Sequence, residues 1–167
     1  TIQYFDLAEK EIVDNLMPYI EEHFNVFTGR ENTAIAGNSM GGRNSLAIGF
    51  KHQDKFGYIG AFSSVSPLPD ERYSGRIPAL LDELKLDSSQ FEFLMLGVGN
   101  SDNVCGDVTY TLDEYMTERG IDHVFYDVDG EHENRVWQNC LYNFCKNIFR
   151  EQFFINKEKL RFKSHSH

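Results

Sequence analysis

Gly37-Asn38-Ser39-Met40-Gly41 is a Gly-x-Ser-x-Gly pentapeptide, and Gly42 extends it. A serine hydroxyl is a weak nucleophile at neutral pH. It attacks a carbonyl when a base within hydrogen-bond reach takes its proton and a third group orients that base. Two downstream segments offer partners: Gly99-Asn100-Ser101-Asp102-Asn103-Val104-Cys105-Gly106 and Asp129-Gly130-Glu131-His132-Glu133. Serine, then acid, then histidine is one of the chain orders in which a hydrolytic triad occurs. In that arrangement His132 takes the Ser39 proton and returns it to a leaving alcohol, because imidazole titrates near neutrality. Asp102 fixes the tautomer of His132 and stabilises the imidazolium.

Rival assignments are weaker on position. Of the six histidines, His165 and His167 lie near the end of the chain, His23 and His52 fall at predicted helix ends, and His123 opens a predicted strand. His132 alone stands in a Gly-flanked loop. Asp107 is the second candidate for the acid, although its place at a predicted helix start suits an N-cap. Asp129 and Glu131 are too near His132 in sequence to reach beneath its ring. Stabilising an oxyanion takes two amide donors. Met40 supplies one; the second should come from a loop ahead of the serine strand, and none is visible in residues 1–33. Trp137 follows His132 and suits either a core anchor for the histidine loop or a wall for an aromatic substrate. A Cys105–Cys140 disulfide would tie the acid loop to the helix after His132, leaving Cys145 a buried thiol. No CxxC occurs, so no structural zinc is expected, and a Ser-His-Asp triad calls for no cofactor.

The elements that must position these groups follow from periodicity. Residues 6–24 carry Ile12, Val13, Leu16, Met17, Ile20 and Phe24 at helical spacing, with Pro18 predicting a kink. Residues 33–36 read as a short buried strand entering the serine turn, and 43–52 as the helix leaving it. There Gly37 and Gly41 remove side chains that would collide with strand and helix. Strands are predicted at 58–62, 91–98 and 123–128. Helices are predicted at 76–84, at 108–119 with Gly120 as C′ glycine, and at 134–152 with Trp137, Leu141, Phe144 and Ile148 on one face. Strands alternating with helices predict a parallel sheet covered by helices on both faces. Loops at the carboxyl ends of parallel strands share one edge, which brings Ser39, Asp102 and His132 together. The serine strand comes early, so one flank of the sheet looks bare. The chain reads as the C-terminal portion of a larger α/β fold over 1–154, with a flexible tail over 155–167.

Composition narrows the partners. The 167 residues suffice for one domain, and 41% hydrophobic content allows a real core. A formal net charge of -10 with no basic stripe argues against nucleic acid. No run is long enough for a membrane span, and no signal peptide opens the sequence.

Three segments carry a family resemblance: Thr33-Ala-Ile-Ala-Gly-Asn-Ser-Met-Gly-Gly42, Asp54-Lys-Phe-Gly-Tyr-Ile-Gly60 and Gly130-Glu-His-Glu-Asn-Arg-Val-Trp137. They resemble the feruloyl and acetyl xylan esterases of carbohydrate esterase family 1, and more distantly the esterase D group. The likeness runs from about residue 6 to residue 149. It implies an α/β-hydrolase fold, nucleophile Ser39, acid Asp102, base His132 and no metal. It implies a secreted enzyme acting on feruloyl (hydroxycinnamoyl) esters of plant cell-wall xylan, often as one module of a larger protein. The upstream half of the family fold, with its oxyanion loop, is then expected outside this chain. Asn38 departs from the apolar residue usual beside the nucleophile, and Gly130-Glu131 from a glycine pair. An acetyl xylan or other small-acyl esterase is the alternative within the class; a non-catalytic binding module is the alternative outside it.

Overall fold

The computed structural model describes residues 7–65 and 91–150. The helix expected over 76–84 and the tail over 155–167 lie outside them. Four strands form one parallel sheet in sequence order: β1 (Ala34–Asn38), β2 (Tyr58–Phe62), β3 (Phe93–Gly99) and β4 (Val124–Val128). Ala36 pairs with Gly60, Gly60 with Met95, and Met95 with Val124.

Alternation along β3 divides the core. Leu94 and Leu96 point to one face, where they meet Leu46 and Phe50 of α2 (Met40–Lys51) and Leu112 and Met116 of α3 (Gly106–Glu118). Met95 points to the other face, against Val136, Cys140 and Phe144 of α4 (Asn134–Cys145). Cover on both faces is why β2 and β3 read as unbroken apolar runs. Leu96 is fully buried, so Leu96→Ala should cost about 2–5 kcal/mol in lost transfer energy and cavity.

The edge strand differs from expectation. Ala36 and Asn38 of β1 are exposed, because α4 does not reach over them and, among the described residues, β1 has a neighbour on one side only. Pro18 also acts as its chemistry requires. It falls in the first turn of α1 (Met17–His23), and residues 11–16 before it widen into a π-turn, the Met17 N–H reaching back five residues to Ile12. Of this segment Val13 is buried against Ile48 and Phe56, while Leu16 and Phe24 are exposed. Helix α3 ends as predicted. Gly120 has φ 65°, its N–H bonds Thr117, and the Ile121 N–H bonds Met116, the pattern of a Schellman cap.

Helix α4 is shorter than expected, ending at Cys145. The Asn147 N–H bonds the Phe144 carbonyl three residues back, and Phe149 takes a left-handed φ of 55° that no helix continues through. Leu141 is exposed rather than on the buried face, which Val136, Cys140 and Phe144 make instead.

Candidate active site

The strand-to-helix turn holds Ser39 at φ 52° and ψ -120°. Such a backbone costs a non-glycine residue about 1–3 kcal/mol and persists only when its surroundings over-determine it. Here they do. The Ser39 N–H donates to the Phe62 carbonyl at 2.8 Å, and the Ser39 carbonyl accepts from Val65 at 3.2 Å and Arg43 at 3.3 Å. The small residues matter at positions partly different from those predicted. A Cβ on Gly37 would lie 2.6 Å from the Gly41 backbone, and one on Gly42 would press Ser64 at 3.1 Å. A Cβ on Gly41 would meet open space. The crowding is therefore of Gly41 backbone against Gly37, not of a Gly41 side chain against the sheet. Met40 begins α2, so its N–H has no carbonyl within the helix to bond.

Asp102 follows β3 in a tight turn. Its carboxylate is fully buried. Oδ1 accepts from the N–H groups of Val104 at 2.9 Å and Cys105 at 2.8 Å. Burial by itself would raise the Asp102 pKa; the Cys105 N–H, His132, Ser63 and the Val104 N–H together outweigh it and hold the group below the usual carboxylate range.

His132 follows β4. Its Nδ1 lies 2.9 Å from Asp102 Oδ2 and its Nε2 3.2 Å from Ser39 Oγ. A carboxylate can only accept, so Nδ1 carries the proton and donates. Nε2 is then the acceptor facing the serine hydroxyl. Asp107, the rival acid, lies in the first turn of α3, where Cys105 rather than Asp107 is the N-cap residue. Asp129 is engaged instead by the Asn100 amide at 2.7 Å. Three side chains spaced across 94 residues thus form one continuous line of contacts at the carboxyl edge of the sheet.

Trp137 stands edge-on to the His132 ring, centroids 5.0 Å apart, and packs in the α4 core cluster. It also lines a recess with Asn38, Phe62, Gln138 and Leu141 beside the serine turn. The cysteine expectation is overturned: Cys105, Cys140 and Cys145 are all thiols. Cys105 caps α3 on one face of the sheet, whereas Cys140 sits on α4 under the other, against Gly97. Nor is Cys145 buried; it is exposed.

Two positions at the strand ends that carry the site escaped the sequence reading. Gly99 lets the acid and histidine loops touch: a Cβ there would strike the Gly130 and Glu131 carbonyls. Ser63 is fully buried with φ 44°. Neither has a motif; a serine in a Ser/Pro-rich stretch looks like ordinary loop.

A parallel sheet covered on both faces, with a strained serine turn and two loops converging on it, is an α/β-hydrolase fold. The chain belongs to the family described as putative esterases, whose model matches residues 4–147. It is 27% identical over 143 residues to an endo-1,4-beta-xylanase/feruloyl esterase of Xylanibacter ruminicola, covering 85% of this chain and 18% of that protein. The structure resembles a CE1 ferulic acid esterase of the anaerobic fungus Anaeromyces mucronatus, with TM-score 0.72 and 29% identity over 89% of this chain and 57% of that one. The complex of that esterase with ferulic acid aligns with TM-score 0.71 and 31% identity, covering 84% of this chain and 53% of its own. An S-formylglutathione hydrolase of Staphylococcus aureus shares the fold, with TM-score 0.66 and 21% identity over 86% of this chain and 63% of its own. The chain therefore spans a small part of its curated relative and little more than half of these solved structures.

Proposed function

We propose that this chain carries the nucleophile, base and acid of a serine carboxylesterase that hydrolyses feruloyl esters on xylan. The observation that carries the reading is the unbroken contact line Ser39–His132–Asp102. Ser39 Oγ attacks the ester carbonyl while Nε2 of His132 takes its proton; the imidazolium then protonates the leaving sugar oxygen. The acyl-enzyme left on Ser39 is cleared by water, with His132 again as base. The Met40 amide supports the oxyanion. Trp137 braces His132 through its ring edge. The feruloyl preference rests on the relatives, named for feruloyl and ferulic acid esterases. The strands beside β1 and the second oxyanion donor come from residues outside this sequence, either on the same polypeptide or on a second chain, a reading that the one-sided pairing of β1 among the described residues supports.

Ser39→Ala in the full polypeptide is the test. Hydrolysis of an aryl ester should fall by about three orders of magnitude or more; unchanged hydrolysis would reject the esterase reading. Comparing methyl ferulate with acetylated xylan decides the acyl group, and faster release of acetate would replace feruloyl by small-acyl esterase.

A further inference from the structure

Ser63 is the first residue beyond β2, the strand that lies between the serine strand and the acid strand. Its N–H donates to the Gly97 carbonyl on β3 at 2.7 Å, while the preceding carbonyl, that of Phe62, holds the Ser39 N–H on the opposite side. It is fully buried and has a left-handed φ of 44°. Glycine meets that backbone at lower cost than serine. A serine kept there, in a buried and strained position, is explained if the hydroxyl has a use.

The neighbouring carboxylate supplies one. An ionised carboxylate offers about four acceptor sites. Among the described residues Asp102 Oδ1 takes two N–H groups, whereas the bonds to Oδ2 at full geometry come down to one, from His132 Nδ1. Among the described residues the buried Ser63 Oγ meets no partner at full hydrogen-bond geometry, yet it counts among the groups that stabilise the Asp102 anion. Ser63 closes β2 against the end of β3, and Asp102 sits in the turn that follows β3, so a buried donor without a full bond and a buried acceptor with a site to spare occupy neighbouring strand ends. Hydrogen bonds of this kind commonly tighten when charge develops during reaction.

We infer that Ser63 is a positioning residue for Asp102: its hydroxyl donates to the carboxylate, fixing the rotation that aims Oδ2 at His132. Val104 and Cys105 pin one oxygen from the α3 side, and Ser63 pins the group from the β2 side. The inference rests on Asp102 and His132 serving Ser39 as proposed above.

Ser63→Gly in the full polypeptide separates this role from packing, because it relaxes the backbone while deleting the hydroxyl. Three results are expected: a melting temperature equal to or above the parent, KM within about twofold, and kcat lower by about tenfold, the scale of one hydrogen bond to a charged group. The downfield Nδ1 proton of His132 should shift in the NMR spectrum of the variant. Ser63→Ala, which keeps the strained Cβ, should lose the same kcat. A Ser63→Gly kcat within about twofold of the parent, with Ser39→Ala inactive, overturns the inference and leaves the esterase reading intact. Parallel loss of melting temperature and kcat also overturns it, since the side chain would then serve packing. If Ser39→Ala stays active, the esterase reading is what fails.

Discussion

Gly99→Ala should damage catalysis without touching a reacting group. A Cβ at Gly99 would stand 2.8 Å from the Glu131 carbonyl oxygen, and closer still to that of Gly130, where ordinary van der Waals contact begins at 3.4 Å. Both obstacles are backbone, so no side chain can rotate away. The loop bearing His132 must retreat by roughly 0.6 Å or more from the loop bearing Asp102. The same gap is spanned by the 2.9 Å bond from His132 Nδ1 to Asp102 and by the 2.9 Å bond from the Ser101 N–H to the Gly130 carbonyl. Ser39 Oγ is already 3.2 Å from Nε2, leaving little slack within hydrogen-bond reach. A misplacement on this scale should lower kcat by about ten- to a hundredfold, and the overpacking should cost about 1–3 kcal/mol of stability. The assay is steady-state hydrolysis of methyl ferulate at a temperature where the variant is fully folded by circular dichroism. A kcat within about twofold of the parent, with Ser39→Ala inactive, would show that the close approach of the two loops does not set the triad.

Other perturbations test other parts. Asp102→Asn should keep the fold and drop kcat by about four orders of magnitude, because the amide can hold the wrong His132 tautomer; activity near the parent would remove Asp102 from the mechanism. The native Asp102 pKa is lowered, so its contribution to stability is complete above about pH 4, the unfolded value, and is lost as pH falls through the lower native value; acid unfolding of the Asn variant should lack that component. Burial pushes the Cys140 thiol up to about 12. Its contribution is whole below the unfolded value of about 8.5 and fades as pH rises toward 12, and in the native protein at pH 8 an alkylating reagent should modify exposed Cys145 and spare Cys140. Gly120→Ala meets no neighbour within 4 Å, so its cost is conformational, about 1 kcal/mol, read as a melting temperature lowered by a few degrees with kcat unchanged.

The serine turn, the acid loop and the histidine loop were visible as residue patterns because each carries its own local signal. Gly-x-Ser-x-Gly between an apolar run and a helix can be read over ten residues, and so can Gly120 ending a helix. Helix ends were less visible. The 134–152 run leaves the α-helix at Cys145, where the chain tightens into a turn closed by the Asn147 N–H on the Phe144 carbonyl, and Phe149 beyond it is left-handed; no residue type in that stretch announces it. The disulfide expectation failed for a related reason. Cys105 and Cys140 lie in segments that share one sheet edge, but the helices they belong to pack on opposite faces of the sheet.

Sequence alone determined the alternating strand-and-helix order, the parallel sheet it demands, and which side chains are competent to attack, to accept a proton and to orient. Those properties are written in nearest neighbours and in periods of two and 3.6 residues. Tertiary structure decided the rest: that Asp102 rather than Asp107 meets the imidazole, that Gly99 and Gly42 are close approaches as well as Gly37, and that Ser63, at the end of the strand next to the acid strand, is strained and buried. Each depends on which backbone from a distant segment arrives within a few ångströms, and packing sets that distance where local chain chemistry does not.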